Sequence, residues 1–139
     1  MPGPDKDKLL EDEKKYITMI EANPGDVETY NKLGIVYAML RRPEDAERTF
    51  KNAVKADPDN SDAHNFVGRI LKDRGEYDGA EKELRTSLRL DPDSIKAHNN
   101  LGHLLEDLNR KDEAKDEYAA ILKVDPDNAD ARENLERVS

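Results

Sequence analysis

Asp57-Pro58-Asp59-Asn60, Asp91-Pro92-Asp93-Ser94 and Asp125-Pro126-Asp127-Asn128 are three versions of one tetrapeptide, and Asn23-Pro24 is a shorter fourth. Their prolines, Pro24, Pro58, Pro92 and Pro126, stand 34 residues apart. A fixed period of this length marks one supersecondary unit stacked on copies of itself. What lies between the prolines therefore decides the fold.

Each interval holds two apolar stripes at the 3–4 spacing of a helix face. In the first unit, 27–60, Asp26 is a good N-cap. Tyr30, Leu33, Val36, Tyr37 and Leu40 follow it. Arg41-Arg42-Pro43-Glu44 then breaks the helix. Pro43 suits the first turn of a second helix, where its missing N–H would be unpaired anyway. That helix carries Ala46, Phe50, Ala53, Val54 and Ala56. The second unit, 61–94, has His64, Val67, Ile70 and Leu71, then Tyr77, Ala80, Leu84, Leu88 and Leu90. Between them Gly75 is free to take a left-handed cap. The third unit, 95–128, has His98, Leu101, Leu104, Leu105 and Leu108, then Ala114, Tyr118, Ile121, Leu122 and Val124. Asn109 stands where Gly75 does, and Asn also tolerates the left-handed region. An irregular start over 1–4 precedes a helix over 5–22, capped by Asp5, with Tyr16, Met19 and Ile20 on one face. A last helix over 129–138 carries Leu135 and Val138. The expectation is one domain over 5–138 with eight helices.

Small residues also keep the period: Gly34, Gly68 and Gly102 in the first helices, and Ala46, Ala80 and Ala114 in the second. Glycine inside a helix costs about 1 kcal/mol relative to alanine, so three at one register imply close helix packing. Tyr30…Leu33-Gly34…Tyr37…Ala46…Phe50…Pro58 and its two successors resemble the tetratricopeptide repeat signature. The resemblance covers nearly the whole chain. It implies an all-α, right-handed α-solenoid of three helix-turn-helix repeats flanked by single N- and C-terminal helices. By register, Asp12 falls where Ala46 falls, and Glu136 where Gly34 falls. Both charges are expected to face solvent as caps, which a solenoid needs at its ends.

Composition narrows the function. Charged residues are 40% of the 139, and the formal net charge is −9. That argues against general nucleic-acid binding, which needs a basic field. It favours a basic or amphipathic partner. There are no cysteines, which excludes disulfides and thiolate metal sites. No apolar run follows Met1-Pro2-Gly3-Pro4-Asp5 and none approaches a membrane span, so neither a signal peptide nor membrane insertion is expected. The expected location is cytoplasmic.

Catalytic and metal chemistry find little support. His64 and His98 share a register with Tyr30 and are expected to be semi-buried rings packing between repeats. Asp57, Asp59, Ser61 and Asp62 resemble the start of a calcium loop. However, the loop glycine is missing, and Gly68 stands where a bidentate Glu is needed. No nucleophile–base pair, phosphate loop or zinc spacing is present. The expectation is a non-enzyme with no cofactor and no metal.

The resemblance implies that first helices line a concave peptide-binding groove. It places Asn31, Ile35 and Met39 there from the first unit, Asn65, Arg69 and Lys72 from the second, and Lys96, Asn99, Asn100 and His103 from the third. Asn31, Asn65 and Asn99 keep the period. An amide offers donors and an acceptor to any peptide backbone; the competing reading is that Asn merely tolerates an exposed helix position. Asn100 and Asn134, also 34 apart, resemble part of the asparagine row of O-linked N-acetylglucosamine transferase, but Lys32 and Phe66 break it. The carboxylate clamp of chaperone co-factors maps onto Asn31, Ile35, Phe66, Lys96 and Asn100, where only Lys96 matches, so no binding of a chaperone tail is expected. Ile35 and Met39 need a cover: a partner, a second copy, or the N-terminal helix folding inward. The leading expectation is a protein-interaction module binding a peptide or amphipathic helix. The alternatives are a self-assembling scaffold, with copies stacked end to end or face to face through the caps or a homo-oligomer formed through the Ile35/Met39 patch, and a designed or reconstructed repeat protein with no natural partner.

Overall fold

The computed structural model describes residues 5–139; the irregular start expected over 1–4 lies outside the described residues. The helices are α1 Lys6–Ala22, α2 Val27–Met39, α3 Pro43–Ala56, α4 Ser61–Asp73, α5 Tyr77–Leu90, α6 Ile95–Asp107, α7 Lys111–Val124 and α8 Ala129–Val138. No strand occurs among the described residues. The chain divides between Val67 and Gly68 into two compact units.

Helix ends follow local chemistry. Asp5, Asp26, Ser94 and Asn128 each accept a backbone N–H with the side chain and so cap α1, α2, α6 and α8. Pro43 opens α3. First helices end alike: the N–H of Arg42, Glu76 and Arg110 donates to the carbonyl of Tyr37, Leu71 and Leu105, at 2.9, 2.9 and 2.7 Å. This six-residue closure needs a left-handed residue just before the donor. Gly75 has φ 77° and Asn109 φ 58°. In the first unit the residue is Arg41, at φ 59°, a conformation that costs a branched-Cβ-free but non-glycine side chain about 1 kcal/mol or more.

In the first unit α1 packs on α2 and α2 on α3. Leu33, Val36, Tyr37, Phe50 and Ala53 form the core, and Phe50 stacks on Phe66 with centroids 4.7 Å apart. On α1 the buried residue is Leu9. Met19, which shares a helix face with Tyr16 and Ile20, is 37% exposed. Asp12 is half-buried and pairs with Lys8 at 3.1 Å.

In the second unit α5 packs on α6, α6 on α7 and α7 on α8. Leu84, Leu101, Leu104, Leu105, Tyr118 and Ile121 fill the core. The periodic small residues have their reason here. A Cβ on Gly102 would stand 2.6 Å from the Tyr118 ring, and one on Gly68 would stand 2.7 Å from Leu84. In the first unit a Cβ on Gly34 would collide with Phe50. Ala46, Ala80 and Ala114 are all fully buried.

Two polar devices recur. His64 Nε2–H donates to the Pro58 carbonyl, His98 Nε2–H to Pro92 and Arg132 Nη2–H to Pro126, each at 2.7 Å and six residues back. The expected role of these histidines was ring packing; the structure shows them tying off the proline turns. His98 also donates from Nδ1 to Glu117 at 2.9 Å. With acceptors at both nitrogens, and chiefly because of Glu117, its pKa is raised despite burial. In the second device, Arg42 at the α3 cap reaches Glu13 of α1 at 3.0 Å, and Arg110 at the α7 cap reaches Glu81 of α5 at 2.8 Å. Each spans 29 residues and ties consecutive second helices of the helical pattern together.

Candidate functional site

First helices carry the candidate residues. On α2, Asn31, Ile35 and Met39 lie at successive four-residue steps and so share a face. Met39 is 52% exposed and Ile35 is half-buried. Asn31 is only 4% exposed, and its Nδ2 donates to Asn60 Oδ1 at 3.3 Å. Asn60 Oδ1 also accepts from the Ala63 N–H at 2.9 Å, at the start of α4. Asn31 therefore steadies the next helix N-terminus. Its Oδ1 is buried without a partner among the described residues. Asn65 is 2% exposed. Neither amide stands at an exposed helix position, because the first helices bury that edge as well as their apolar stripe.

In the second unit the candidates are better displayed. Arg69 and Lys96 are exposed, and Lys72, Asn99, Asn100 and His103 are half-buried. One hydrogen-bonded chain links three helices. His103 Nδ1 lies 3.1 Å from Tyr118 Oη, and the Tyr118 hydroxyl donates to Glu106. Arg137 Nη2 donates to both Glu106 oxygens, at 3.0 and 2.7 Å. Arg137 Nη1 donates to Asn134 Oδ1 at 2.8 Å, and Asn134 Nδ2 donates to Asn99 Oδ1 at 3.5 Å. The chain joins Asn99 and His103 of α6 through α7 and α8, with Tyr118 wholly buried beneath them.

Electrostatics follow from this geometry. Burial pushes His103 below its usual pKa; Glu106 opposes the shift, while Lys72 and Arg137 reinforce it. Burial alone would raise Glu106, but hydrogen bonds from Arg137 and Tyr118 outweigh it and hold the carboxyl below its usual value. Burial, with Glu106 beside it, pushes the Tyr118 hydroxyl upward. At neutral pH the cluster is a neutral imidazole, a carboxylate, a phenol and a guanidinium. This is a positioning network that joins α6, α7 and α8. No group of three metal-binding side chains occurs among the described residues.

A cleft lies beside this network, lined by Ile95, Lys96, Asn99, Ile121, Asn128 and Asp130. Of the residues at this cleft and network, sequence reasoning proposed Lys96 and Asn99 and passed over Asn128 and Arg137. Both were signalled by register: Asn128 repeats Asn60, and Arg137 repeats Arg69 and His103.

The comparisons bear on the fold. A tetratricopeptide repeat family model matches residues 18–95, more than half the chain, and a second matches 71–137. The chain belongs to the tetratricopeptide repeat family. A sequence search of curated proteins finds no match. Among solved structures, this tetratricopeptide chain is similar to MamA, at 24% identity and TM-score 0.79 over 91% of this chain and 74% of that one. It is similar to the first tetratricopeptide domain of Spaghetti (RPAP3), at 20% identity and TM-score 0.77 over 81% and 91%. YrrB aligns at 24% identity and TM-score 0.74 over 95% and 68%. At these identities the likeness speaks to fold, and the fold class is the all-α helical solenoid. No helix among the described residues is long and apolar enough to cross a membrane.

Proposed function

We propose that this tetratricopeptide chain is a non-catalytic interaction module that takes a peptide or amphipathic helix on its first-helix faces. The reading divides it into repeats 27–60, 61–94 and 95–128 between flanking helices. The supporting observation is that Arg69 on α4 and Lys96 on α6 are exposed with no partner among the described residues. Their backbones are fixed by packing, so both cations remain for a ligand. In the other compact unit, taken by itself, Met39 on α2 is an exposed apolar side chain. Two similar proteins are described as peptide binders: the Spaghetti domain bound to an HSP90 peptide, and YrrB with an unusual peptide-binding site. A chaperone-tail clamp is not part of the proposal, because Ile35 and Phe66 stand at two of its positions.

A random-peptide display library selected on the full chain tests this reading. Selected peptides are expected to lose affinity for Arg69→Glu/Lys96→Glu and keep it for Lys51→Glu on α3. Equal affinity for all three proteins would contradict it. Met39 also favours a second reading, association of two copies through Ile35 and Met39. Light scattering at two concentrations decides that: a mass of one chain at both removes it.

A further inference from the structure

The cleft at the start of α6 and α8 has room and directed donors. It holds about 150 Å³, the scale of cavity that accepts a benzene-sized apolar ligand. Ile95 and the buried Ile121 give it apolar walls. Asn128 Oδ1 is committed to the Ala131 N–H at 2.9 Å, and Asn99 Oδ1 to Asn134 Nδ2 at 3.5 Å. With each oxygen held inside the fold, the orientation of each amide is set. The two NH2 groups have no partner among the described residues. The cleft thus pairs an aliphatic-sized space with two amide donors. Lys96 and Asp130, of opposite charge, leave its rim without a net sign.

We propose that this cleft is a peptide subsite: it takes one branched aliphatic side chain of an extended segment, while Asn99 and Asn128 donate to the flanking backbone carbonyls. The proposal rests on the peptide-binding reading and adds its residue preference. The asparagines read the backbone and are indifferent to sequence, and the isoleucine-lined space supplies the selectivity.

The test uses the full 15N-labelled chain and four blocked peptides of the form Ser-Thr-Xaa-Thr-Ser, with Xaa as Ile, Ala, Glu or Lys. The Ile peptide is expected to shift the side-chain NH2 signals of Asn99 and Asn128, and the other three to shift them far less. Asn99→Asp and Asn128→Asp keep the acceptor oxygen each helix uses and lose the donor. Each is expected to weaken the Ile peptide about 3- to 10-fold, the worth of one hydrogen bond. Equal shifts from all four peptides, or unchanged affinity in both variants, would overturn the subsite. Shifts confined to Met39 or Arg69 would overturn it and leave the general reading standing. No shift from any peptide would also overturn it, while the general reading would fall only if display selection yielded no binder sensitive to Arg69→Glu/Lys96→Glu.

Discussion

Gly102→Ala adds a single methyl group, and the structure decides its sign. Alanine is the better helix former by about 1 kcal/mol. Against that, the new Cβ would lie 2.6, 2.8 and 3.1 Å from three carbons of the Tyr118 ring. Tyr118 is fully buried. Its hydroxyl is held by Glu106 and lies 3.1 Å from His103, so the ring cannot slide aside without breaking a hydrogen bond to a carboxylate. Overpacking costs about 1–3 kcal/mol, and a disturbed bond to a charged group about 1.5–3 kcal/mol. The balance is a net loss of about 2 kcal/mol. Gly79→Ala is the matched control: its Cβ would meet only the Leu71 Cδ1 methyl, at 3.3 Å. That side chain is half-buried and free to shift, so the substitution is expected to stabilise by about 0.5 kcal/mol. Urea unfolding followed by circular dichroism reads both. With a slope of about 2 kcal/mol/M, Gly102→Ala should lower the midpoint by about 1 M and Gly79→Ala should raise it slightly. A Gly102→Ala protein as stable as wild type would refute the packing argument.

Arg41→Gly removes a non-glycine side chain from the left-handed region and should stabilise the chain by about 1 kcal/mol in the same urea assay. His98 has a raised pKa in the fold, chiefly through Glu117, so its contribution is complete below the unfolded value of about 6.5 and fades as pH rises through the folded value. The stability lost in His98→Gln should therefore be larger at about pH 6 than at about pH 9; a pH-independent difference would contradict the double-acceptor arrangement. Glu106→Gln removes the carboxylate that joins Arg137 to Tyr118. Amides of α8 should then exchange faster with solvent while those of α2 are unchanged.

Most of the helix framework was legible because it is written in local chemistry. Pro24, Pro58, Pro92 and Pro126 gave the period, and Asp5, Asp26 and Pro43 marked helix starts by capping rules that need no tertiary knowledge. Gly34, Gly68 and Gly102 could be read as contact points from the cost of glycine alone. Arg41 was not read as a left-handed residue because arginine has no such preference; only its register with Gly75 and Asn109 carries that information. The exposure of Met19 was not legible, since periodicity shows which residues share a face and not how much neighbouring surface covers them. The asparagine row was legible as a period but not as a burial pattern. The Asn31–Asn60 bond spans 29 residues, a distance no local rule reaches. The Glu106–Arg137 bridge was missed similarly, because it joins different helices 31 residues apart.

The central claim is that ligands lie on the first-helix face. Photo-crosslinking with a benzophenone amino acid at Arg69 on α4, and separately at Lys82 on α5, tests it directly with a display-selected peptide. The account predicts a crosslink from position 69 and none from 82. A crosslink from 82 with none from 69 would contradict it.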